Sequence, residues 1–132
     1  LPDNCCVINY INAPYHLEVT SHAYIGILSY IPEKTSNSYL NSLYCAPNKI
    51  FEYSMFGIPM ISNDVPALKY LFDTTRCGIC VEDNEESVIQ AIKYIDRHYD
   101  EYSKKSEEFC NSVDNVAKLT EVLEYVSKKL RQ

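Results

Sequence analysis

The chain has 132 residues, a length that suits one domain with its own core. Twelve Lys and Arg against 18 Asp and Glu give a net charge of −6, which argues against nucleic acid as a main partner, because phosphate backbones select basic surfaces. No apolar run is long enough to span a bilayer, and no stretch has the pattern of a signal peptide.

The first residue is Leu, which points to a fragment or a processed chain. Cys5-Cys6-Val7-Ile8-Asn9-Tyr10-Ile11 is a short apolar run rich in β formers and predicts a strand. Asn12-Ala13-Pro14 reads as a turn and helix start, with a short helix from Tyr15 to His22. Tyr24 to Ser29 predicts a second strand. Its nearly continuous apolar character suits a parallel sheet buried on both faces. Ile31 to Tyr44 is polar and predicts a long loop, of the kind that is usually functional or mobile.

The segment from Pro47 to Asp64 organises the rest. Pro47 suits the first helical position, where a missing N–H costs nothing. Ile50, Phe51, Ser54 and Met55 give an apolar or small face at helical spacing. Gly57 and Pro59 stop the helix, and a strand from Met60 runs out at Ser62-Asn63-Asp64. Pro66 starts another short helix ending near Phe72, and Asp73 to Arg76 is a turn. Cys77 to Glu82 predicts a fourth strand. Asp83 and Glu86 have capping-box spacing ahead of a helix carrying Val88, Ile92 and Ile95, with Ile89 and Ala91 widening its apolar face. A polar helix follows from Tyr99 to Asn111. The last helix, about 114–131, carries Val116, Leu119, Leu123, Val126 and Leu130 as an apolar stripe that needs a partner surface. Alternating strands and helices predict an α/β fold with a Rossmann-like parallel sheet and flanking helices.

Within the organising helix, Lys49 and Glu52 share a face at i, i+3. A helix N-terminus suits a phosphate, and a carboxylate one turn in can accept hydrogen bonds from a ribose diol. The plainer reading is a solvated Glu52 paired with Lys49. The whole stretch, Pro47-Asn48-Lys49-Ile50-Phe51-Glu52-Tyr53 followed by Gly57-Ile58-Pro59 and a strand, resembles the nucleotide-sugar binding motif of retaining GT-B glycosyltransferases of the family 4 (group 1) type. The resemblance covers roughly Asn4 to Glu108 and is strongest from Ala46 to Asp64. It implies that residues 1–132 are the later part of the C-terminal, donor-binding domain of such an enzyme. The opening strand-helix-strand of that domain and the whole N-terminal GT-B domain would then precede Leu1.

The resemblance also implies roles. Glu52 would hold the ribose, and Pro47, Asn48 and Lys49 with their backbone would hold the diphosphate. Tyr10 and Ser29 would border the base at the carboxyl edge of the sheet. A tyrosine simply covering that edge is an equal reading of Tyr10. Many members carry a further glutamate before the one matching Glu52; here Tyr44 stands at that place, which leaves sugar recognition open. The basic pair the family uses earlier in the domain is absent from this sequence.

The implied reaction moves a sugar from a nucleotide diphosphate sugar to a glycan or lipid-linked acceptor, with no cofactor and no metal. No catalytic residue stands out, and the chain alone is expected to be inactive. Peripheral membrane association of the full enzyme is compatible with this reading. A nucleotide-sugar epimerase or hydrolase of the same fold, or a non-enzymatic α/β interaction domain, are the alternatives.

The six Cys mostly sit in apolar stretches and read as free thiols of a reducing, cytoplasmic compartment. Cys77-Gly78-Ile79-Cys80 enters a strand, where a redox or zinc role is less expected than a structural one. His16, His22 and His98 form no metal spacing and read as surface residues.

Overall fold

A computed structural model describes residues 2–32, 39–44 and 46–130. Its elements are α1 (His16–Thr20), β1 (Gly26–Leu28), α2 (Tyr39–Tyr44), α3 (Asn48–Met55), β2 (Met60–Asn63), α4 (Pro66–Thr75), β3 (Gly78–Val81), α5 (Glu85–Arg97), α6 (Tyr99–Ser112) and α7 (Asn115–Leu130). The strands form a parallel three-stranded sheet in the order β1-β2-β3, with Gly26 opposite Met60 and Met60 opposite Gly78. The chain is thus an α/β protein with a small parallel sheet flanked by helices.

Side-chain alternation along the strands builds two cores. Leu28 and Met60 turn to one face, where Ile50 of α3 and Leu68 and Phe72 of α4 bury against them. Ile61 turns to the other face and meets Ala91 and Ile95 of α5. Two successive crossovers through α3 and α4 on one face, then α5 on the other, is the winding that short parallel connections allow. Close approach demands two of the glycines. A Cβ at Gly26 would lie 2.5 Å from the Tyr53 ring, and one at Gly78 would lie 2.6 Å from the Met60 carbonyl oxygen. Tyr53 therefore seats α3 directly on the start of β1.

α6 straddles the amino edge of the sheet. Its Tyr99 and Tyr102 pack against the α5-side core, while Phe109 packs against the other core and stacks on Phe51 at 5.8 Å. Between them, buried Ser106 donates to the Ile58 carbonyl at 2.9 Å, just ahead of β2. The amino edge is thereby covered.

Several expectations need correction. Residues 5–11 are not a strand, and among the described residues the sheet has three strands rather than four. β-character is a packing property. No described strand lies beside this segment, and Val7, Ile8 and Tyr10 are exposed. The expected loop from Ile31 to Tyr44 ends in α2; its residues 33–38 lie outside the described residues, as does Cys45. Pro47 is the N-cap of α3, with extended φ −67° and ψ 141°, so the helix starts one residue later than the sequence implies. Gly57 does end it, at φ +63°.

α4 runs on through the expected turn to Thr75, closed by Arg76 in the left-handed region. α5 is capped by Asn84, whose side chain accepts from the Ser87 amide at 2.9 Å, rather than by an Asp83–Glu86 box. Ile89 and Ile92, expected in the core, stay exposed, and Ala91 and Ile95 are the buried residues of α5. Among the described cysteines, Cys77 is buried, Cys80 and Cys110 are half-buried, Cys5 and Cys6 are exposed, and all five are free. Among the described residues, no helix is long and apolar enough to cross a membrane.

Candidate functional site at the carboxyl edge of the sheet

In an open parallel sheet, ligands enter at the carboxyl ends of the strands. Here that edge is formed by Ser29 after β1, Asn63 and Asp64 at the end of β2, and Glu82 and Asp83 after β3. A cleft of about 140 Å³ runs across all three strand ends, with Ser29, Ser62, Asn63, Glu82 and Asp83 in its wall. Asn63 holds the chain as it leaves β1. Its Oδ1 accepts from the Tyr30 amide at 2.9 Å, and its Nδ2 donates to the Tyr30 carbonyl at 2.5 Å. A side-chain amide thus imitates one more rung of the β1–β2 ladder. It fixes where Ser29 and Tyr30 emerge.

α3 brings its N-terminus to the same edge. The helix returns antiparallel to the strands and enters β2 through Gly57-Ile58-Pro59. Eight helical residues rise about 12 Å, which matches the roughly 13 Å of a four-residue strand, so Asn48 stands level with the carboxyl ends. Its N-cap, Pro47, makes no side-chain capping bond, and no side chain among the described residues is seen to cap this helix. Its first N–H groups thus face outward with the positive end of the helix dipole, a setting that suits an anion. Asn48 and Lys49 are exposed beside it, and Pro47 is half-buried.

Glu52 sits one turn into α3 and is partly accessible. Its partner is not Lys49. Its Oε1 lies 3.5 Å from Nε2 of His16, with the two side chains 29% and 36% accessible. His16, expected at the surface, is partly accessible there, and α1 packs against α3 so that the imidazole lies beside the carboxylate. The sequence signals the helix around His16 but not its packing partner, because the partners are far apart in the chain. The Glu52 charge is also felt next door. The Tyr53 hydroxyl is pushed above the usual tyrosine range, first by burial and then by the Glu52 carboxylate, against an opposing backbone hydrogen bond at Ile27.

The remaining expected site residues are placed unevenly. Ser29 is exposed at the edge, in the wall of the cleft. Tyr44 ends α2 and is exposed. Tyr10 is 89% exposed in the segment that joins no strand, so the sheet does not carry it to the edge. The Cys80 thiol, on β3 against the α3–α4 core, is pushed up to about 11, mainly by burial and next by the Asp64 carboxylate. It is held as the unreactive thiol. Among the described residues, no group of three or more His, Cys, Asp or Glu stands close enough to hold a metal ion.

Chemically, the edge offers anion binding at a helix N-terminus, a neighbouring ammonium, and a carboxylate able to accept from hydroxyl groups. No protein-family model, curated protein or solved structure matches the chain.

Proposed function

We propose that the chain is the donor-binding part of a GT-B glycosyltransferase of the family 4 type, one that transfers a sugar from a nucleotide diphosphate sugar to a glycan or lipid-linked acceptor. One observation carries the reading: the uncapped N-terminus of α3 meets the carboxyl edge of the sheet, with Lys49 beside it and the Glu52 carboxylate one turn in. The motif from Pro47 to Asp64 supports it from the sequence side.

In this reading the Asn48 and Lys49 amides and the Lys49 ammonium take the diphosphate. Their contribution to transfer is to stabilise the charge that develops on the departing nucleotide. Glu52 accepts from the ribose hydroxyls. Ser29 and the cleft beside it border the rest of the donor. The acceptor site and the remaining strands of the same domain would be supplied by other parts of the enzyme. Those strands would also give residues 5–11 the neighbours they lack here. The chain alone then binds a donor nucleotide without turning it over, and the full enzyme works on the cytoplasmic side.

Glu52→Ala tests the assignment. Losing charge-assisted hydrogen bonds of roughly 1.5–3 kcal/mol weakens nucleotide diphosphate binding about tenfold or more, read by calorimetry. Unchanged affinity removes Glu52 from the site.

A second reading rests on α7. Its Val116, Leu119, Leu123, Val126 and Leu130 are all exposed, and exposed apolar stripes of this kind mark docking surfaces. An interaction domain predicts no nucleotide binding at all, in wild type or variant.

A further inference from the structure

We propose that His16 is a positioning residue for Glu52, holding one carboxylate oxygen so that the other meets a ribose diol squarely. The inference rests on the nucleotide reading above and adds a residue that the motif from Pro47 to Asp64 does not contain.

Glu52 has three side-chain torsions and, unrestrained, spreads its carboxylate over several rotamers. His16 Nε2 lies 3.5 Å from Oε1. At that separation the imidazole is within ion-pair range of Oε1 but beyond a short hydrogen bond, and Oε2, with its own lone pairs, is not part of the contact. Both side chains are about one-third accessible, so a ligand can reach the pair from solvent while α1 and α3 fix it from below. No other ion-pair partner of Glu52 occurs among the described residues. Lys49, one turn earlier on the same helix, stays out of range and free for the phosphate side. On α1 the other charged residue is Glu18, of the wrong sign to hold a carboxylate.

The pair therefore divides the labour along α3. The N-terminal amides and Lys49 face the anion, and the His16–Glu52 pair faces the hydroxyls. A histidine suits the second task because it can steer a carboxylate oxygen without demanding a permanent ion pair.

The test is a double-mutant cycle on the full chain, with UDP, GDP and ADP as probes and calorimetry as the readout. His16→Leu is expected to weaken the preferred nucleotide about three- to tenfold, the span of a single polar contact. His16→Gln, which keeps a donor, regains most of the loss. In the Glu52→Ala background, His16→Leu changes nothing further, because the residue it positions is gone.

A loss of equal size in both backgrounds, or no recovery with Gln, overturns positioning and reduces His16 to packing between α1 and α3. Wild-type affinity in His16→Leu overturns it outright. If wild-type protein binds none of the three nucleotides, the nucleotide reading itself fails and this inference falls with it. If wild type binds but Glu52→Ala is silent, the ribose role of Glu52 fails separately. Circular dichroism of each variant confirms that the fold is intact.

Discussion

Ser106 is fully buried, yet it lies on a helix whose sequence reads as polar throughout. Its hydroxyl answers the Ile58 carbonyl, an oxygen left over where the chain turns from α3 into β2. Truncation to alanine would strand that acceptor in the interior, and an unsatisfied buried group costs about 1–3 kcal/mol. Ser106→Ala should lower the unfolding free energy by that amount, read as a lower urea midpoint with an unchanged m-value; a midpoint within error of wild type would mean that the carbonyl finds another partner. The same contact bears on function. It anchors the turn at Gly57, whose positive φ lets α3 reverse within two residues. The position of Glu52 thus depends on a hydrogen bond at the opposite end of its helix.

At the scale of elements, the parallel α/β alternation from Tyr24 to Arg97 was legible because each element carries its own punctuation. Pro66 opens α4, Gly57 closes α3, and apolar Met60-Ile61 fills a central strand whose faces are both covered. The failures have a common cause. The run from Cys5 to Ile11 has strand composition, but a strand exists only against a neighbour, and composition says nothing about neighbours. Ile89 and Ile92 sit at helical spacing, but α5 packs on a narrow sheet that covers only Ala91 and Ile95. The Glu52–His16 pair joins two helices through tertiary packing, which local spacing cannot encode. The helix–stop–strand order from Asn48 to Asn63, by contrast, was readable because its parts are contiguous.

α7 was legible as an amphipathic helix, and its stripe remains uncovered. Its removal from the energetics of the core is testable. Leu119→Lys with Leu123→Lys should change unfolding free energy by no more than about 0.5 kcal/mol, the range of surface substitutions, while reducing binding of a hydrophobic dye. A loss well beyond that range would show that α7 packs on the domain in solution.

For the molecule as a whole, the architecture is asymmetric across the sheet. α6 seals the amino edge through Ser106 and Phe109, whereas the carboxyl edge carries the cleft, the Asn63 clamp and the N-terminus of α3. The central claim is that this open edge is a nucleotide site. An NMR titration of the isotopically labelled chain with UDP, GDP and ADP tests it most directly. Saturable shifts centred on Asn48 to Glu52, His16 and Ser29 are expected, with one base preferred and no comparable change along α6. Shifts scattered over the surface, or none up to millimolar nucleotide, would contradict it.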